Sequence, residues 1–402
     1  MSTTIVRPTT KPRPKTAHPA PIVPSHPPVT IERVSTRKQR NEFVDFPFEL
    51  YRDDSNWCPP LKMEAHAAIN PKKHPFYKHG SAAQFLARCE GRVVGRISVS
   101  DDPNYNAEHD ANVGCFGMFE TIDDPVVAKT LLNAAARWLR ARGRTSIIGP
   151  IDYSTNYPSG LLIDGFDTPQ RVMMNHNPRY YADLFEDCGL KKAKDMYAWW
   201  FDSANPSLDE WTKRAERIAK RGSVTIRPVR VEDFNSEVAR CMSVYNQTWE
   251  KTWGFVQMTP EEFRHMALQL KKIGALDLLL LAEVAGQPVG FCVTLPDMNE
   301  AIRPVGGCLT TWGLPIGLVK LLRGMRKIKT ARMAVLGVLP GYRKRGVAEL
   351  MILQAFQRGK NKLGYTGAEL GWTLEDNEMI NRTVESVGAK QYKRFRIYER
   401  SI

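Results

Sequence analysis

The sequence predicts an α/β protein with mixed sheets, built as two tandem units of the same order. Three observations carry that prediction. The chain has 402 residues, more than one hydrophobic core usually organises. Apolar runs bounded by turn residues alternate with amphipathic helical patterns, and the order repeats in the two halves. Near the C-terminus, Val338-Leu-Pro-Gly-Tyr-Arg343-Lys-Arg345-Gly346-Val-Ala348-Glu-Leu350 is an apolar strand that breaks into a basic, glycine-bearing turn and opens a helix.

Residues 1–30 hold eight prolines, four basic residues and no acid. Such a segment cannot bury enough surface to fold and reads as a disordered basic tail. A first unit follows over residues 31–203. Residues 85–99 form a hairpin turning at Glu90-Gly91, and 113–119 form a strand. Residues 126–142 form a helix, with Val127, Leu131, Ala135, Trp138 and Leu139 at helical spacing. A strand returns at 145–149. Between the strand and the helix stands Glu120-Thr-Ile-Asp-Asp124, whose three acids would repel an anion.

The second unit spans residues 222–402. It opens on a strand at 224–229, two helices near 231–248 and 260–273, and a hairpin around Ala285-Gly286-Gln287. The strand 333–338, the basic turn, a helix at 347–363 and a strand at 367–373 follow. An insertion over 296–330 separates the hairpin from that strand. A helix from Ile316 would place Leu318, Leu321, Leu322 and Met325 along one side, while Lys320, Arg323, Arg326, Lys327 and Lys329 supply charge of one sign. Three readings stay open: a helix lying on an anionic membrane surface, a roof over an acyl-chain tunnel, and a core-facing helix with a basic solvent side.

The basic turn has a specific physical use. A helix start leaves its first N–H groups unpaired and carries partial positive charge. Gly346 and Ala348 keep side chains clear so that an anion can reach those amides, and Arg343, Lys344 and Arg345 add charge. Nucleotide-binding patterns fit less well, since there is neither Gly-x4-Gly-Lys-Ser/Thr nor Gly-x-Gly-x-x-Gly with a following acid. The segment Arg343-x-x-Gly346-x-Ala348 resembles the acetyl-CoA-binding motif of the GNAT superfamily, Gln/Arg-x-x-Gly-x-Gly/Ala, and the surrounding element order is similar to that of the superfamily. Trp253-Gly-Phe-Val256-x-Met258, Phe46-Pro-Phe-x-Leu-Tyr51 and Phe116-Gly-Met-Phe119-Glu120 further resemble bacterial tandem GNAT-type proteins, some of which look like ceramide synthases. The likeness covers most of the chain after the tail and implies two tandem GNAT-like acyl-CoA N-acyltransferase domains, the first degenerate.

The resemblance implies that acyl-CoA is the co-substrate, with no tightly bound cofactor and no metal. Its site would be Leu336, Gly337 and Val338, then Arg343, Lys344, Arg345, Gly346, Val347 and Ala348, with Asn377 aligned to the Asn that contacts the pantetheine arm. The Tyr that often protonates the leaving thiolate is Val384 here, so Tyr392 and Tyr398 are candidates, unless both are sheet aromatics. Aminolysis of a thioester also needs a destination for the amine proton, for which Glu369, then Glu375 and Asp376, are the candidate carboxylates. Each could instead serve a salt bridge, or for Asp376 a helix cap. Asn156 and Tyr157 either border a cleft between the units or sit at a loop tip, and His265 reads as structural.

Composition narrows the partners. A net charge of +14 favours acidic ones, such as CoA or anionic headgroups, and no zinc-finger, helix-turn-helix or RNA-binding signature points to nucleic acid. Seven scattered cysteines without a Cys-x-x-Cys pair argue against a disulfide framework and for a reducing compartment. No apolar run approaches the ~20 residues of a membrane span, and no secretory signal is expected. The expectation is a cytoplasmic, peripherally membrane-associated acyltransferase that acylates a sphingoid-type long-chain amine or its 3-oxo precursor. The alternatives are N-acetylation of a small-molecule or protein amine, and a non-catalytic CoA or lipid sensor.

Overall fold

The structure, a computed structural model, describes residues 27–205, 210–213, 217, 224–250, 252–273 and 276–402. The expected tail lies outside the described residues up to position 26, and its last residues, Val29 and Thr30, enter the first strand. The first half comprises β1 (Val29–Arg33), α1 (Arg37–Leu50), α2 (Lys62–Ala68), β2 (Ser81–Cys89), β3 (Arg92–Asp101), α3 (Pro103–His109), β4 (Val113–Thr121), α4 (Pro125–Arg140), β5 (Ser146–Gly149), β6 (Leu161–Asp164), α5 (Tyr181–Asp187) and β7 (Lys191–Asp202). The second comprises β8 (Val224–Pro228), α6 (Phe234–Thr248), α7 (Pro260–Ile273), β9 (Leu279–Val284), β10 (Gln287–Pro296), α8 (Asn299–Ile302), α9 (Ile316–Met325), β11 (Thr330–Val338), α10 (Val347–Leu363), β12 (Gly367–Leu374), α11 (Glu378–Ser386) and β13 (Lys390–Ser401).

The hairpins form where local chemistry demands them. Glu90 and Gly91 have φ of 50° and 78°, and Ala285 and Gly286 have 49° and 77°. Two successive positive φ values make the turn whose twist suits a two-residue hairpin. In α4, Val127, Leu131, Ala135, Trp138 and Leu139 are all buried, as their spacing predicts. Helices cover both faces of each half. In the second half, α10 buries Leu350 and Met351 against one face, and α6 packs Val244 on Phe291 and Leu281 of the other.

The sheet order is β1-β2-β3-β4-β5-β13-β7-β12-β11-β10-β9-β8, with β6 beside β13. The halves therefore exchange their last strands. β13, the end of the second half, pairs with β5 of the first, and β7, the end of the first, pairs with β12 of the second. The exchanged strands pair antiparallel with each other, making one continuous sheet.

Each half contains one parallel pair, β4 with β5 and β11 with β12, and each pair parts early. The β11–β12 register ends at Met333 opposite Leu370. Beyond it, β11 runs to Val338 paired only with β10, and β12 runs to Leu374 paired with β7. A V-shaped opening results, into which alternate backbone groups of residues 336–338 point.

Candidate active site

The basic turn sits at the wide end of that opening. Gly346 adopts φ of 75°, a left-handed conformation that glycine reaches without strain, and α10 starts immediately after it. Among the described residues no side chain caps this helix, so its first amides lack a side-chain partner there. In the first half the corresponding helix start is closed. Asp124 caps α4, its carboxylate accepting the N–H groups of Val126 and Val127 at 2.8 and 3.4 Å. The strand opening beside it is closed too: Asp152 accepts the Met118 N–H at 2.8 Å, and Ile151 N–H donates to the Phe116 carbonyl at 2.6 Å. Glu120 is not in the turn but at the end of β4, where Tyr51 and Tyr181 donate to it at 2.6 and 2.9 Å, and burial raises its pKa. The first half thus fills with its own carboxylates the two places that the second half leaves open.

Within the turn the three cations divide. Arg343 donates to the Val338 carbonyl at 3.1 Å and to that of Thr248 at 2.5 Å, so it ties the turn to β11 and α6. Lys344 and Arg345 are exposed, with the Arg345 guanidinium 4.8 Å from the Tyr342 ring centroid. Val347 is buried and Ala348 half-buried. Gly337 lies under Trp249, and a Cβ there would come within 2.5 Å of the indole. Leu336 and Val338 pack with the core beneath α10. Asn377 caps α11, its side chain accepting the Ile380 N–H at 3.5 Å. That cap position belongs to Asn377 rather than Asp376, which pairs with Lys194 at 2.8 Å.

Of the three catalytic candidates, two meet. Side chains alternate across a strand, and Met333 and Leu370 face α10, so Arg332 and Glu369 face the other side, at the root of the opening. Arg332 Nε donates to Glu369 Oε1 at 2.7 Å and its terminal nitrogen to the Gly371 carbonyl at 3.0 Å. Tyr392 donates to the second Glu369 oxygen. Glu369 is 0% exposed, so any proton it takes reaches it through a bonded neighbour. Tyr392 is half-buried, and burial, with Glu369 beside it, pushes its pKa well up. Arg171 lies on the same side, 4.6 Å from the Trp200 ring and paired with Asp297 at 3.0 Å. Next to Tyr392, Lys393 is 2% exposed and donates to the carbonyls of Gly165 and Thr168 at 2.7 and 2.9 Å. Glu375 stands apart, in the turn after β12, bound to Lys192 at 2.6 Å and to the Asp195 N–H at 3.0 Å. Tyr398 is buried in the first half's core, and Val384 in the second's.

Sequence reasoning missed Arg332, Arg171 and Lys393, because nothing local marks a cation whose partners lie 37 to 228 residues away. Asn156 and Tyr157 are no loop tip. Tyr245 donates to Asn156 at 2.7 Å and Tyr157 to Glu262 at 2.8 Å, so both join the halves.

In the insertion, α9 packs Leu321 and Met325 toward Met298, Ala301 and Ile328. Leu318 and Leu322, expected on the same side, are exposed, as are Trp312 (92%), Leu314 and Val319. The reason is that α9 rests on the four-residue α8, which covers only part of its apolar surface. Lys320, Arg323, Arg326 and Lys327 are exposed beside them. Among the described residues, no helix is long and apolar enough to cross a membrane.

No family model matches the chain. It is 36% identical over 366 residues to Protein YghO of Escherichia coli (strain K12), covering 90% of this chain and 92% of that protein. It is 35% identical over 383 residues to the bacterial ceramide synthase of Caulobacter vibrioides, covering 93% and 98%. Among solved structures, a tandem GNAT protein from the clavulanic acid biosynthesis pathway matches with a TM-score of 0.55 at 11% identity, over 93% of this chain and 98% of that one. A GCN5-related glucosamine N-acetyltransferase region of a fungal β-N-acetylglucosaminidase matches with a TM-score of 0.58 at 13% identity, over 93% and 38%.

Proposed function

We propose that this chain, which belongs to the family of Protein YghO and the bacterial ceramide synthase and has the fold of a tandem GNAT protein, moves a long acyl chain from CoA to the amine of a sphingoid-type long-chain base or its 3-oxo precursor. One observation carries the placement of the chemistry in the second half: an uncapped helix start behind Gly346 beside an opened strand pair, where the first half has Asp124 and Asp152.

The pyrophosphate of acyl-CoA binds the first amides of α10, with Lys344 and Arg345 supplying charge and Arg343 holding the turn. The thioester enters between β11 and β12, where backbone N–H groups of residues 336–338 stabilise the oxyanion of the tetrahedral intermediate. The amine approaches from the face that carries Arg332, Glu369 and Tyr392. As nitrogen attacks the carbonyl carbon, its proton passes to the Tyr392 oxygen while the Tyr392 proton passes to Glu369. Collapse breaks the C–S bond and expels a thiolate, whose ordinary pKa near 8.5 makes it a fair leaving group without an acid. Asn377 borders the site as a helix cap, and Glu375 holds the turn to β7. The exposed apolar side chains of the insertion and their neighbouring cations suit a peripheral seat on an anionic cytoplasmic membrane face, where a lipid amine would be met.

The test is thiol release by the purified protein with acetyl-, octanoyl- and palmitoyl-CoA, with and without a sphingoid-type amine. Release that requires palmitoyl-CoA and the amine together is expected. Release with acetyl-CoA alone among the donors would replace this reading by ordinary N-acetylation, and tight binding without release under any pairing would replace it by a sensor.

A further inference from the structure

We infer that the apolar cavity beneath α6 and α7 is the seat of the donor's hydrocarbon chain and sets its length; the inference rests on the long-chain reading above. The cavity holds about 90 Å³ of space open to a water-sized sphere, several times what one water molecule needs, within a partly open volume of about 810 Å³ that includes solvent. Its floor is β9, β10 and β11. Its walls are a helical stripe on α7 (Phe263, Met266, Ala267 and Leu270) and another on α6 that includes Val238 and Cys241.

Three features distinguish this space from ordinary imperfect packing. Protein interiors are filled to crystal-like density, with few voids larger than a water molecule, yet here space remains between the apolar stripe of α7 and an apolar sheet on which α6 rests through Val244. The α7 stripe stays half-buried although it faces the sheet. Among the described lining residues the one charged side chain is Glu237, and its carboxylate is turned away to Arg227, which donates to both oxygens at 2.7 and 2.9 Å. A space so lined offers water almost no partners, and apolar cavities of this kind take apolar guests.

The location selects the guest. The cavity reaches Ala334 and Val335 of β11, the first residues after the β11–β12 register ends. They directly precede residues 336–338, where the thioester carbonyl is placed. A chain attached to that carbonyl begins at the mouth of the cavity, on the sheet face opposite α10. The insertion, which the sequence offered as a tunnel roof, does not line this space: none of its residues between 299 and 329 is among the lining side chains.

The experiment has a binding arm and a turnover arm, both on the full chain. In the first, affinities of free CoA, octanoyl-CoA and palmitoyl-CoA are measured calorimetrically for wild type and for Ala267→Trp, Cys241→Phe and Phe263→Ala. Each methylene moved from water into the cavity strengthens binding by up to about fourfold. Palmitoyl-CoA should therefore bind wild type far more tightly than free CoA, and the two narrowing variants should lose at least roughly tenfold of that advantage while binding free CoA unchanged. In the second arm, acyl donors of graded length are tested with one amine, and amines of graded length with one donor. The narrowing variants should move the donor optimum to shorter chains and Phe263→Ala to longer ones, with the amine profile unmoved. An unchanged donor preference in variants that still bind free CoA overturns the inference, as does a shift confined to the amine series. Wild type that binds palmitoyl-CoA through the cavity but releases no thiol would sink the transferase reading and leave this one standing.

Discussion

On the proposed reading, single side chains decide which half binds the donor. Gly346→Glu places both a side chain in a disfavoured left-handed conformation and a negative charge at the start of α10, and should abolish CoA binding by calorimetry; unchanged affinity would remove the turn from the site. Tyr392→Phe leaves Glu369 buried and paired with Arg332 but breaks the proton path. It should lower the transfer rate on the order of 10²-fold with CoA affinity intact, and an unchanged rate would restrict Tyr392 to packing. Lys393 offers a pH test of the same buried cluster. Burial holds its pKa down to about 8 from an ordinary 10.5, so between those values the unfolded chain binds more protons than the folded one. The ammonium's cost is therefore full below pH 8 and is relieved as pH rises toward 10.5. The unfolding free energy of wild type relative to Lys393→Met should rise by about 1–3 kcal/mol across that window, and a flat or falling difference would mean that the ammonium is not desolvated. Of this cluster, Arg332, Arg171 and Lys393 are not marked in the sequence. Glu369 was legible as a strand carboxylate, but its burial depends on Arg332 and Tyr392, which the chain brings from 37 residues before and 23 after.

At the scale of elements, legibility follows the range of the forces involved. The hairpins at Glu90-Gly91 and Ala285-Gly286, the stripe of α4 and the turn before α10 are set by neighbouring residues, and the sequence shows them. The helix in the insertion was legible too, but not its orientation. Leu318 and Leu322 are exposed while Leu321 and Met325 are packed, because the partner α8 is too short to cover the whole side. That exposed surface yields a prediction. Reversing the charge of Lys320, Arg323, Arg326 and Lys327 should weaken binding to anionic vesicles on the order of 10³-fold, at roughly 1 kcal/mol per cation near a charged surface. Sedimentation with vesicles checks it, and undiminished binding would place the membrane contact elsewhere.

Over the whole molecule, the repeated order of elements was visible in the sequence, but the exchange of the last strands was not. Nothing in the residues of β7 or β13 states which of two similar sheets each will join, since both mix charged residues with buried apolar ones along the strand. The exchange makes each half incomplete alone. Deleting residues 390–402 removes buried Phe395, Ile397 and Tyr398 and takes from the first half its connection at β5. The shortened chain should lose cooperative unfolding and bind a hydrophobic dye, and a cooperative transition near that of wild type would show the exchange to be dispensable. The same feature fixes a schedule. The first half is synthesised early, yet its sheet stays open at β5 until β13, roughly 240 residues later, leaves the ribosome. At bacterial rates of about 5–20 residues per second that is a wait of roughly 10–50 s, during which an unpaired apolar edge is presented to every other chain in the cell. This protein therefore depends in its first minute on whatever shelters nascent strands.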